Sequence, residues 1–197
     1  MKRRKIGIVF WRIIIAVGIC IGMYPLISRV WQESRQQRLI EQYLRGEMPS
    51  ERQLQGKEML GVLWIPKVKC QLPIFRGTAE TVLEEGAGLL EGSSEIGKET
   101  GVHTVLCAHS GLPRMYAFDQ IDALEKGDFI YIVSHQYVLA YTVTKQSTVL
   151  PEEVHLLLQP SQFANEITLL TCTPYGINTH RLLVQAKLSR SFGGSAP

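Results

Sequence analysis

Hydrophobic and polar positions divide the chain into three stretches with different periods. Residues 6–27, IGIVFWRIIIAVGICIGMYPLI, carry a single charge, Arg12. A helix rises 1.5 Å per residue, so this stretch reaches about 33 Å, enough for a hydrocarbon core of about 30 Å. Residues 30–48 are rich in Gln, Arg and Glu, with apolar residues at Val30, Leu39, Ile40, Tyr43 and Leu44. That spacing predicts an amphipathic helix, a stalk that lifts the folded part off the membrane. Gly46, Pro49 and Gly56 then punctuate a polar linker. From Leu60 the period shortens to that of strands: LGVLWIP, CQLPIF, HTVLCAH, FIYIV, YVLAYTV, ITLLTC and RLLVQAK, separated by Gly, Pro and Asp. Seven short strands without long helices between them predict a mostly antiparallel barrel or sandwich. Residues 79–85, 114–124 and 151–158 read as short helical turns, and Gly127-Asp128 as a turn before a strand.

Charge sharpens the first stretch. Lys2, Arg3, Arg4, Lys5 and Arg12 supply five of the 21 basic residues, leaving 16 against 18 acids from residue 13 onward. A basic cluster before an apolar span predicts a cytoplasmic N-terminus with the remainder outside, and Arg12 can snorkel toward that flank. A cleaved signal peptide has a similar layout, but the apolar run is long for one and no A-x-A-like site follows it. The slightly acidic remainder excludes nucleic acid, whose binders carry their basic excess on the folded domain. Apolar residues at 45% and charged residues at 20% exclude a disordered or polytopic chain.

Four cysteines, Cys20, Cys70, Cys107 and Cys172, form no C-x-x-C pair, and the five histidines show no zinc spacing with them. No metal is expected. Cys20 falls inside the apolar span, which leaves three for the exterior; at most Cys70 and Cys107 are expected to pair, which geometry must decide. The residues with chemistry to offer are His109, Cys172 and Arg181, each beside a turn at a strand end. A cysteine attacks as thiolate and needs a basic neighbour to do so near neutrality. A histidine can supply it and return the proton to a leaving amine. Arginine does not deprotonate, so its task would be to donate hydrogen bonds to a carbonyl oxygen as negative charge builds there. The loop TPYGINTH between two antiparallel strands would bring Cys172 and Arg181 together. Taken singly, each has a plainer reading: a buried small thiol, a turn histidine, a solvated arginine.

The motifs around them decide. TLLTC at 168–172, Arg181 in CTPYGINTHRLLV and HSGLP at 109–113 resemble the signature of the sortases, cysteine transpeptidases of Gram-positive cell surfaces. The wording TCTPYG-N-THRLLV is most similar to class C, the pilin-polymerising group. The resemblance covers residues 59–188 and implies a mostly β fold, an eight-stranded sortase-type barrel with short helices, preceded here by the N-terminal transmembrane helix. Joined to the hydropathy pattern, it gives a basic tail and anchor (1–29), a helical stalk and linker (30–58), a catalytic barrel (59–190) and a C-terminal tail (191–197). It implies Cys172 as nucleophile, His109 as general acid or base, Arg181 as stabiliser of the substrate carbonyl and Thr171 as the supporting neighbour of the nucleophile. The implied substrate is an LPxTG-like sorting signal cleaved after Thr. The implied acceptor is a pilin lysine or, in the alternative reading, a peptidoglycan cross-bridge precursor. A third reading is a non-catalytic β-domain that binds surface proteins. No cofactor is implied, and the expected location is the cell membrane with the catalytic domain outside.

Three departures from the class C pattern carry expectations. Residues 30–60 contain no Asp, so the Asp-Pro-aromatic lid of that class is expected to be missing. No hydrophobic run follows Val184, so the anchor is expected in the N-terminal span. Cys107-Ala108 stand before His109 where Thr-Gly is common. Cys107 and His109 share a strand face, which brings Cys107 toward the site, as packing or otherwise. Trp64 and Tyr116 are candidates for the wall of a peptide groove, His180 for the structural turn beside Arg181, and His135 and His155 for the surface. A papain-like arrangement is excluded because its cysteine precedes its histidine.

Overall fold

Alternation of side chains along a strand closes the barrel. The computed structural model describes residues 2–97, 99, 101–110, 117–158, 165–174 and 176–193, and, within the first helix, the side chains of residues 11–12, 14–24 and 34–44. Among these, eight strands form β1 (Met59–Ile65), β2 (Cys70–Arg76), β3 (Ala87–Leu89), β4 (His103–Cys107), β5 (Phe129–Val133), β6 (Tyr137–Val149), β7 (Glu166–Thr173) and β8 (His180–Gly193). They pair in the order β1-β2-β3-β4-β7-β8-β6-β5, and β5 closes on β1. Most neighbours are antiparallel as the alternation predicts, but β2–β3 and β4–β7 run parallel. Parallel neighbours need a crossover, and the four-residue helix α3 (Glu80–Leu83) lies in the one joining β2 to β3.

The interior is filled by inward residues of the strands: Leu63, Ile65, Leu72, Ile74, Leu106, Ile130, Ile132, Tyr141, Leu169 and Val184 are each 1% exposed or less. Opposite parity places Val105 and Cys107 of β4, Leu170 of β7 and Leu183 of β8 on the outer wall, where they form a second apolar cluster under Leu157. Leu157 belongs to a 3-10 helix, Pro151–Leu158, at the position predicted for a helical turn. Of the turn predicted over 114–124, the described part contains a 3-10 turn at Ile121–Ala123; residues 114–116 lie outside the described residues.

The N-terminal helix α1 runs unbroken from Lys2 to Leu44. Pro25 lies inside it. The last turns do not stand clear of the barrel: Leu39, Ile40 and Tyr43 are buried against Met59, Val62, Phe75 and Val82. Tyr43 Oη donates to Leu60 O at 3.1 Å, and Gln36 Nε2 to Glu85 O at 2.8 Å. The Glu85 carboxylate receives both Arg35 at 3.2 Å and the nearly buried ammonium of Lys57 at 3.1 Å. Left-handed Gly46, φ 79°, follows the helix, and a short α2 (Glu51–Leu54) leads into β1. Among the described residues no helix is long and apolar enough to cross a membrane, so an anchor at 6–27 rests on the sequence pattern.

Candidate active site

Three neighbouring strands carry the three residues of interest to one end of the barrel. In the antiparallel β7–β8 ladder Cys172 stands opposite Arg181. In the parallel β4–β7 ladder Cys107 stands opposite Leu170. The chain goes on past β4 with Ala108 N donating to Leu170 O at 3.2 Å. Continued by two residues, that register brings His109 level with Cys172, with strands about 4.8 Å apart. Parity sends all three side chains to the outer wall: Cys172 follows Leu170, Arg181 precedes Leu183 and His109 follows Cys107, each by two residues.

Two hydroxyls hold the histidine turn against the nucleophile strand. Thr171, buried and inward, donates from Oγ1 to Ala108 O at 2.8 Å. Ser110 donates from Oγ to Cys172 O at 2.6 Å. These bonds straddle His109 and prolong the β4–β7 ladder beyond its last backbone pair, while Phe118 N donates to His109 O at 2.9 Å. Thr171 thus acts on the fold of the site, from inside the barrel. Ser110 was not singled out from sequence: a serine after a histidine in a turn carries no signal until the chain closes on residue 172.

Arg181 Nη1 donates to Asn178 O and His180 O, both at 3.1 Å. Asn178 adopts φ 59°, a left-handed conformation that Asn tolerates better than most residues, and this turns the loop carbonyl toward the guanidinium. Both bonds use one nitrogen of a group with five N–H donors. His180, paired with Thr173 across the ladder, has Nδ1 2.9 Å from Thr179 Oγ1, in keeping with a structural turn.

Cys107 lies beneath the site, 7% exposed. Burial, reinforced by Glu91 and Cys172 and opposed by Arg181, pushes its thiol up to about 12, so it stays protonated. Cys70 is pushed up to about 12 as well, by burial and by Asp119; it donates to Ala117 O. Both are free thiols, which settles the pairing that the sequence left open, and Cys172 is free and partly exposed. Trp64 does not reach the site: it lies on the outer face of β1, four strands from β7 in either direction, against Tyr131 at 5.0 Å. Tyr116 lies outside the described residues. His135 packs on Tyr43, ring centroids 3.8 Å apart. Among the described residues no group of three His, Cys, Asp or Glu side chains could hold a metal ion.

On this geometry the site can present a thiol, an imidazole and a fixed guanidinium in one row. Residues 63–189 match the family model described as "Sortase domain". Sortase A of Streptococcus agalactiae is 30% identical over 138 residues, covering 68% of this chain and 54% of the relative; the chain spans about half the length of that curated relative. Among solved structures, sortase C-1 from Actinomyces oris superposes with a TM-score of 0.64 at 38% identity, over 66% of this chain and 73% of that one. Sortase C1 from Streptococcus suis gives 0.65 at 39% identity, over 71% and 77%.

Proposed function

The chain belongs to the sortase family, and from that premise we propose that it is a membrane-anchored cysteine transpeptidase of the pilin-assembling kind. The observation that carries this reading is the register that sets Cys172 opposite Arg181, with His109 tied alongside through Thr171 and Ser110. Cys172 Sγ attacks the Thr carbonyl of an LPxTG-like signal. Arg181 donates to the oxygen on which charge builds, and His109 gives a proton to the departing amine. The sorting signal is then held as a thioester on Cys172. An incoming amine, on this reading a pilin lysine, loses its proton to His109 and displaces the thiolate. Division into two acyl transfers lowers each barrier and needs no cofactor.

Three further observations support the finer points. The sortase C structures from A. oris and S. suis match at higher identity than the curated sortase A relative, which favours the pilin-assembling kind. Residues 35–57 pack against β1, β2 and the α3 turn, so this part of the chain contributes no lid over Cys172. Ile14, Ile15, Val17, Ile19, Ile21 and Met23 of α1 are 44–69% exposed, apolar surface suited to lipid. With the basic N-terminus retained inside, the barrel faces the cell exterior.

The test is intact-mass spectrometry of the full-length chain in detergent with LPxTG-like peptides. An adduct equal to the peptide minus the residues after Thr is expected, absent in Cys172→Ala and strongly reduced in Arg181→Ala. Adding a lysine peptide from a pilin or a cross-bridge peptide then identifies the acceptor: transfer to the cross-bridge alone favours cell-wall attachment. No adduct on folded protein with any peptide favours a non-catalytic binding domain.

A further inference from the structure

One nitrogen of the His109 imidazole, Nε2, is buried and unpaired among the described residues. Leaving a buried polar group unpaired is costly, so the nearest acid is of interest. It is Glu80, whose Oε1 stands 3.4 Å from Nε2. The pair is at ion-pair distance but falls short of hydrogen-bond geometry. Glu80 has a side chain that is 70% exposed, free to rotate into hydrogen-bond alignment.

The backbone beneath that carboxylate is far less free. Glu80 is the first residue of α3, and α3 is pinned on both sides. Val82 is buried in the cluster with Leu39, Ile40 and Phe75, and Leu83 packs against the cluster that includes Cys107, Leu170 and Leu183. The loop before α3 is clamped as well: Thr78 donates from N at 3.1 Å and from Oγ1 at 2.7 Å to the Glu91 carboxylate. A Cβ at Gly88 would stand 2.3 Å from Gly77 O, so β3 and this loop meet closer than any other residue permits. Together these contacts hold an acid beside the imidazole.

We propose that Glu80 is a positioning residue: its carboxylate accepts a hydrogen bond from His109 Nε2–H, fixing the ring's rotation and tautomer. Nδ1 is then the nitrogen that exchanges a proton with Cys172. A carboxylate that accepts from one imidazole nitrogen selects which nitrogen is basic. No bond is made or broken at Glu80, and it touches no substrate. The catalytic consequence rests on the transpeptidase reading; the tautomer does not.

The experiment uses the full-length chain in detergent, labelled with ¹⁵N-histidine, with His109 assigned by the signals lost in His109→Ala. At a pH where the ring is neutral, two-bond ¹H–¹⁵N spectra are expected to show the Nε2–H tautomer in the parent and in Glu80→Gln, whose amide oxygen also accepts. A mixture of tautomers is expected in Glu80→Ala. In peptide cleavage, kcat should fall about tenfold in Glu80→Ala with KM nearly unchanged, and Glu80→Gln should recover most of the loss. An unchanged tautomer in Glu80→Ala overturns the proposal, as does a Glu80→Gln variant no better than Glu80→Ala in either readout. A parent protein that turns over no peptide defeats the transpeptidase reading alone, because the spectra still decide the role of Glu80.

Discussion

The outer wall of this barrel is apolar in two places, and the chain treats them differently. On β1 and β2, Met59, Val62 and Phe75 are covered by Leu39, Ile40 and Tyr43 of α1, and all six are 5% exposed or less. On β4, β7 and β8, Val105, Cys107, Leu170 and Leu183 are 8% exposed or less beneath Leu83 of α3 and Val154 and Leu157 of the 3-10 helix, while Leu150, Leu156 and Leu158 on the roof itself remain 37–53% exposed. A strand face packed with Val, Leu and Phe must be covered by something. One wall is sealed by the protein's own helix. The other is covered by a roof whose own outer side is apolar and open, and on the proposed function that open side is where an extended peptide would add cover. On that proposal the sealed wall bears on stability and the open roof on substrate affinity, so substitutions on the two should separate cleanly.

The largest separation is expected at Leu39→Ala. Removing a buried leucine at a site 2% exposed should cost about 2–4 kcal/mol of unfolding free energy, from lost burial and the cavity left behind. Denaturant unfolding reads that loss, and the rate of adduct formation per folded molecule should not change. A fall in that rate without a fall in stability would show that the helix is coupled to the site, and the contrast between the walls would fail.

Leu156→Ser probes the open wall. The side chain is 53% exposed, so the change in stability should be within about 0.5 kcal/mol. If a sorting peptide completes the roof, KM should rise about threefold to tenfold, the worth of partly burying one leucine, with kcat unchanged. An unaltered KM would place the peptide elsewhere on the barrel.

The sealed wall was only half legible in the sequence. The apolar positions of α1 follow helical spacing, but the same spacing suits a free stalk, and only long-range contacts with Val62 and Phe75 distinguish docking from standing clear. Strands with clear alternation were readable. Strand β3 was not, because Ala87–Leu89 is three residues long and glycine-centred. The parallel pairing of β4 with β7 has no local signature either, yet it is what brings His109 level with Cys172. His109, Cys172 and Arg181 were singled out because motif wording carries them, and the β7–β8 ladder sets Cys172 opposite Arg181. Ser110 and Glu80 were not, since each is a lone polar residue whose partner lies far along the chain. Trp64 was misjudged as a groove candidate because aromatic content says nothing of which side of a closed barrel a strand occupies.

The smallest effect is expected at Cys107, the residue of the open wall closest in kind to Cys172. Burial pushes its thiol up to about 12, above a free thiol near 8.5. A folded value above the unfolded one means that the neutral form is favoured by folding. The resulting stability is fully present below the unfolded value and is lost as pH rises toward the folded one. Between pH 9 and 11 the parent should therefore lose more unfolding free energy than Cys107→Ala, with the two curves parallel below pH 8. Iodoacetamide at pH 8 should leave Cys107 and Cys70 largely unlabelled, because few of either are thiolate and Cys107 is also buried. Cys172 should label without removal of residues 30–58. If Cys107 labelled as fast as Cys172, the floor of the open wall would be accessible, and its role would be chemical instead of packing.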